Sequence, residues 1–112
     1  MVTYQDYRKQ FVEAGKGIIT GVPTHLDIEL ASVCNFRCPM CPQAETFVDW
    51  HKGFMPTELA MRLLDEAKEI GILSIKLNWR GESTLHPDFG SIVRRAVMLG
   101  FADTMLNTNG AY

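Results

Sequence analysis

All three cysteines of this 112-residue chain fall inside one stretch, Cys34-Asn35-Phe36-Arg37-Cys38-Pro39-Met40-Cys41. Thiolates select soft metals such as zinc or the irons of an iron–sulfur cluster, and at these spacings all three can converge from one loop onto a single centre. A [4Fe-4S] cubane held by only three cysteines keeps one iron open, which hints at chemistry beyond a structural role. Two other loops carry groups able to serve such a centre. In Trp79-Arg80-Gly81-Glu82, the glycine lets backbone approach a ligand closely, and the carboxylate can accept a charge-assisted hydrogen bond from an ammonium group. Asn107, Thr108 and Asn109 offer neutral donors and acceptors, with Gly110 permitting a turn.

The elements that must position these loops follow from periodicity. From His25 to Ala31, Leu26, Ile28 and Leu30 alternate with His25, Asp27 and Glu29, which predicts a strand running directly into the cysteine loop. That loop continues through Pro39, Pro42 and Gly53 to Pro56, too long for a simple connection and therefore functional. Within it, Phe47, Trp50 and Phe54 either cover the metal site or a substrate, or form the loop's own small core. Thr57 is the expected N-cap of a helix with the apolar stripe Leu59, Leu63, Ala67 and Ile70, stopped by Gly71. A second strand alternates Leu73, Ile75 and Leu77 with Ser74, Lys76 and Asn78. Asp88 then caps a helix whose stripe is Phe89, Ile92, Val93, Ala96 and Val97, closed by Gly100, and residues 101–106 form a third strand. Lys68, Glu69, Arg94 and Arg95 lie off the stripes and read as solvated faces.

This order implies two consecutive right-handed crossovers in an α/β parallel sheet, with all three special loops at one end. Fully buried parallel strands are usually apolar throughout; the first two strands here each keep a polar face. The expectation is a partial (β/α) barrel with an interior open to water, substrate or cofactor. Asp27 and Lys76 on that face read as lining charges that pair with one another. Ahead of this domain, spanning residues 25–112, residues 1–24 form a helix with Tyr4, Tyr7, Phe11 and Ala14 on one side, followed by a glycine-rich connector.

Composition bounds the function. With 46% apolar and 21% charged residues the chain is an ordinary soluble domain, and a net charge of −2 gives no electrostatic reason for nucleic-acid binding. No apolar run approaches the roughly 18 residues of a membrane span. Residues 1–10 are polar where a signal peptide would be apolar, so a cytoplasmic protein with reduced thiols is expected.

Taken together, Cys34-x3-Cys38-x2-Cys41 after the first strand, Gly81-Glu82 after the second and Thr108-Asn109-Gly110 after the third resemble the radical S-adenosylmethionine superfamily. The resemblance covers about residues 25–112 and implies the first three strands of that family's core. It implies that Cys34, Cys38 and Cys41 bind a [4Fe-4S] cluster whose fourth iron chelates S-adenosylmethionine. Reductive cleavage of that cofactor gives methionine and a 5′-deoxyadenosyl radical, which takes hydrogen from a substrate, with an external one-electron donor such as flavodoxin or ferredoxin. Glu82 would then meet the cofactor's amino group, and Gly81, Asn107, Thr108 and Asn109 would line the cofactor. Met40 stands where the family commonly has an aromatic residue beside the adenine. Arg80 replaces a frequent glycine, and either pairs with the cofactor carboxylate or is satisfied by a neighbouring carboxylate.

Further resemblance, in Cys38-Pro39-Met40-Cys41-Pro42 and Lys52-Gly53-Phe54-Met55, is to members that modify peptides or mature other enzymes and carry auxiliary clusters further on. The family core has six strand–helix units, whereas this chain holds three strands. A fragment of a longer enzyme, a barrel completed by a second chain, and a truncated non-catalytic scaffold are the alternatives. A Cys3His zinc module using Cys34, Cys38, Cys41 and His51 is the other reading of the ligand count.

Overall fold

The computed structural model of the chain describes residues 2–18, 21–44 and 52–111. Helix α1 (Tyr4–Gly15) precedes strand β1 (His25–Asp27). The long loop carries a 3-10 turn at Pro42–Ala44 and leads to α2 (Thr57–Glu69), then β2 (Ser74–Lys76). A 3-10 turn at Ser83–Leu85, helix α3 (Phe89–Leu99) and strand β3 (Asp103–Met105) complete the order. The three strands form one parallel sheet in the order β1-β2-β3, with Asp27 beside Lys76 and Lys76 beside Met105. The predicted α/β class and parallel connectivity are therefore what the chain adopts. None of the helices among the described residues is long and apolar enough to cross a membrane.

Alternation along the strands divides the sheet into two faces. Ile28, Leu30, Ile75 and Leu77 are buried in one cluster with Ala60, Leu64 and Ala67 of α2 and Ile92 and Ala96 of α3. Removing this apolar surface from water holds the helices on the sheet. On the opposite face, His25 Nδ1 lies 2.9 Å from Ser74 Oγ and its Nε2 lies 3.1 Å from Asp27 Oδ1. Asp27 thus pairs with a neighbour on its own strand, not with Lys76 across the ladder as expected. His25 and Asp27 are two residues apart, which puts both on the same side of the strand.

Several local expectations shift. The buried side of α2 is Ala60, Leu64 and Ala67 with Leu63 alongside, while Ile70 is exposed because the helix ends just before it. Pro56, not Thr57, occupies the cap position, and the Thr57 hydroxyl donates to Asp88 Oδ2 at 2.5 Å. Asp88 does stand at the N-cap of α3, with its side chain committed to that contact and not to the helix amides. Val97 of the predicted α3 stripe is exposed. Two residues expected to be merely solvated make contacts: Arg95 pairs with Asp65 at 2.6 Å, joining α3 to α2, and Lys68 Nζ donates to Gly100 O at 2.8 Å. On α1 only Tyr7 is buried, its ring 6.0 Å from those of both Tyr4 and Phe11. That helix starts at a capping box in which Asp6 N donates to Thr3 Oγ1 and Thr3 N to Asp6 Oδ2.

Candidate metal and cofactor site

Beyond the short ladder, the chain runs on from each strand toward the three special loops, and side chains take over from backbone pairing. Ile28 N still donates to Lys76 O and Leu77 N to Met105 O. One step further, Asn107 N donates to Asn78 Oδ1 at 2.8 Å, and Arg80 N to Glu29 Oε1 at 3.0 Å. The Arg80 guanidinium makes a two-pronged pair with the same carboxylate, 3.2 Å from Oε1 and 2.9 Å from Oε2. Of the two partners expected for Arg80, the neighbouring carboxylate is the one in place. Burial pushes the Glu29 carboxyl up, but the Arg80 hydrogen bonds and charge outweigh it and hold Glu29 below the usual carboxylate range.

Gly81 occupies a position that no side chain fits. A Cβ there would lie 2.0 Å from Ala31 O and 2.7 Å from Val33 O. The close approach is thus to the chain's own backbone at the mouth of the cysteine loop, where Glu82 N donates to Val33 O at 2.9 Å.

Glu82 is 2% exposed. Its Oε1 accepts from Thr84 N, Thr84 Oγ1 and Thr108 Oγ1 at 3.2, 2.7 and 2.8 Å, and its Oε2 accepts from Asn109 N at 2.8 Å. Burial raises the carboxyl pKa, yet the bonds from Asn109, Thr84 and Thr108 together bring it below its ordinary value. An ionised Glu82 therefore ties the loop after β2 to the loop after β3. Asn109 carries the connection on: its Nδ2 is 2.8 Å from Asn35 Oδ1 and 3.9 Å from Cys34 Sγ. All three loops thus meet at one end of the sheet, with Glu82 and Asn109 as the links.

The cysteine loop is anchored at its base. Gln43 Nε2 donates to Ser32 O at 2.7 Å, closing residues 33–42 into one excursion, and Gln43 Oε1 is buried with no partner among the described residues. The return leg pairs antiparallel with the outgoing one, through Ser32 N to Gly53 O and Met55 N to Leu30 O. Beneath it, Phe54 stands edge-on to His86, whose Nε2 donates to Met55 O while its Nδ1 accepts from Asp88 N. Phe54 thus packs on His86, outside the cysteine loop, and stays about half exposed; Phe47, Trp50 and His51 lie outside the described residues. Gln43, Thr84 and His86 carry no spacing signal in the sequence, and Asn78 shows there only as part of a strand's polar face.

Within the loop all three thiols are free. Cys34 Sγ accepts from Phe36 N at 3.4 Å, and Cys41 N donates to Cys38 O at 2.9 Å. Met40 is 86% exposed on the same loop. Among the described residues, no three Cys, His, Asp or Glu side chains already stand together as a metal cage. The donor set still fits a cluster: three uncommitted thiols on one anchored loop, with amide donors aimed at the first sulfur.

A parallel sheet with a three-thiol loop and a buried carboxylate at its C-terminal end defines an α/β protein whose candidate site lies at that end of the sheet. The family model of the Radical SAM superfamily matches residues 28–112, and the chain belongs to that superfamily, whose members are generally enzymes and typically bind a [4Fe-4S] cluster and S-adenosylmethionine. The chain is 36% identical over 89 residues to the tungsten-containing aldehyde ferredoxin oxidoreductase cofactor-modifying protein of Pyrococcus furiosus, covering 77% of this chain and 24% of that protein. The crystal structure of BtrN in complex with AdoMet and 2-DOIA superposes with a TM-score of 0.73 at 21% identity, covering 84% of this chain and 39% of BtrN. A selenomethionine form of BtrN in an open conformation gives 0.69 at 22% identity, covering 83% and 42%. The chain therefore spans about a quarter to two-fifths of the proteins it matches.

Proposed function

We propose that this chain carries the cluster-binding and part of the cofactor-binding machinery of a radical S-adenosylmethionine enzyme. The observation that carries the reading is the convergence of the three loops through Glu82 and Asn109 beside Cys34. Cys34, Cys38 and Cys41 would hold three irons of a [4Fe-4S] cluster. When bound, cluster and S-adenosylmethionine supply one-electron reductive cleavage of the sulfonium and, through it, hydrogen abstraction from substrate.

The chain's own residues bind and orient. Among the described residues Glu82 Oε2 carries one donor, Asn109 N, while Oε1 carries three, so the second lone pair of Oε2 is the acceptor left for the cofactor's ammonium group. Its ionised state suits that partner, because the four existing hydrogen bonds keep it deprotonated. Gly81 keeps the Glu82 backbone seated against Val33, and Glu29 fixes Arg80 at the rim of the same site. Met40, Asn107 and Thr108 complete the proposed cofactor contacts. The substrate is a peptide or a small molecule: the Pyrococcus relative is named for modifying a cofactor, and BtrN was crystallised with AdoMet and 2-DOIA. The electron comes from an external low-potential donor of the flavodoxin or ferredoxin type, and the remainder of the barrel from further residues or a second chain.

The test is chromatographic. Joined to the remainder of its barrel, the anaerobically reconstituted chain, given dithionite and S-adenosylmethionine, is expected to form 5′-deoxyadenosine. A cluster-loaded chain that forms none would instead support the non-catalytic scaffold.

A further inference from the structure

We propose that Asn109 is a positioning residue whose side-chain amide donates to the Cys34 thiolate and raises the reduction potential of the bound cluster. This rests on the reading of Cys34 as a cluster ligand and gives Asn109 a role beyond lining the cofactor.

The orientation of the amide is fixed by its partners. Asn109 Oδ1 accepts from Ala111 N at 3.0 Å, so the opposite end must be the NH2 group. That group faces Asn35 Oδ1 at 2.8 Å and Cys34 Sγ at 3.9 Å. The backbone beneath it is held separately, by Asn109 N donating to Glu82 Oε2. Gly110 then turns the chain with φ 70°, its N donating to Thr108 Oγ1. A side chain locked at both ends and from its own backbone is one whose direction is built in.

The three sulfurs are not equivalent. Cys34 Sγ receives two N–H donors, from Phe36 N and from Asn109 Nδ2. Among the described residues neither Cys38 nor Cys41 sulfur receives any. The Asn109 donor comes from the loop after β3, 75 residues along the chain, so it is no by-product of local turn geometry. Reduction adds one electron to the cluster, supplied by a low-potential one-electron donor, and part of that negative charge rests on the ligand sulfurs. An N–H donor stabilises the reduced state more than the oxidised one, and hydrogen bonds to sulfur are among the determinants of cluster potential.

Redox titration followed by electron paramagnetic resonance decides the matter, on the full chain reconstituted with iron and sulfide, as wild type, Asn109→Ala and Asn109→Asp. Alanine retains the backbone N–H to Glu82 and removes only the amide. Aspartate keeps the shape and turns a charged acceptor toward sulfur. Both variants are expected to show a midpoint lower than wild type, with aspartate the lower of the two. Should alanine yield no cluster, the isosteric aspartate decides alone. A midpoint unchanged or raised overturns the proposal, as does loss of the cluster from both variants while the chain stays folded, since either leaves Asn109 with a structural role only. Absence of a cluster from wild type sinks the cluster reading and this inference together, whereas a normal wild-type cluster with unmoved variant midpoints sinks only the inference.

Discussion

Replacing Gly81 by alanine tests how the site is assembled. The added methyl would sit 2.0 Å from Ala31 O, 2.7 Å from Val33 O and 2.8 Å from Ala31 C, all backbone atoms that cannot rotate away. Overpacking of a fixed site costs about 1–3 kcal/mol. Separating the two segments also weakens the hydrogen bond from Glu82 N to Val33 O, worth about 1 kcal/mol. Gly81→Ala should therefore lose about 2–4 kcal/mol, which at roughly 4 °C per kcal/mol for a domain of this size is a fall of about 8–16 °C in melting temperature. Gly90→Ala is the control. Nothing lies within 4 Å of a Cβ at that position in α3, so alanine there should be neutral or raise stability by up to about 1 kcal/mol. Thermal melts followed by circular dichroism report both. Equal melting temperatures for Gly81→Ala and wild type would refute the close-approach argument.

Other perturbations follow from the same contacts. Glu82→Ala strands the donors of Thr84, Thr108 and Asn109 and should cost about 2–3 kcal/mol in urea denaturation, with Glu82→Gln intermediate because it keeps the shape and part of the acceptor capacity; a glutamine as damaging as alanine would contradict this. Both Glu82 and Glu29 have folded pKa values below their ordinary ones. Each therefore contributes stability that is fully present above the unfolded value of about 4.3 and is lost as pH falls through the lower folded value. Stability measured against pH should stay flat with respect to these two groups down to the unfolded value of about 4.3 and decline from there until the folded value is passed, more weakly in Glu82→Gln; an acid limb identical in wild type and variant would rule out this role for Glu82.

The strands were legible because alternation is a period-two signal set by geometry, and Leu26, Ile28, Ile75 and Leu77 announce it directly. The helices were legible in extent but less so in rotation. Leu59 and Ile70 satisfy the helical spacing as well as Ala60 and Leu64 do, and only packing against Ile75 and Leu77 chooses between them. The site divides in the same way. Cys34, Cys38 and Cys41 are marked by type and spacing, and Glu82 by its place after a strand. Its donors, Thr108 and Asn109, stand 26 and 27 residues away, and Glu29 is 51 residues from Arg80. Such pairings depend on how strands fan out past the ladder, which no local pattern encodes. Gly81 was visible as a special position, but the backbone it accommodates, at Ala31 and Val33, became apparent only once the sheet was formed.

Cys34, Cys38 and Cys41 are proposed to hold a cluster with one iron open to a cofactor. Electron paramagnetic resonance of the anaerobically reconstituted, dithionite-reduced chain, recorded without and with S-adenosylmethionine, tests it most directly. The expected result is a reduced [4Fe-4S] signal that changes when the cofactor is added and is absent from Cys34→Ser. A chain that binds zinc but gives no iron–sulfur signal, or a signal indifferent to S-adenosylmethionine, would contradict it.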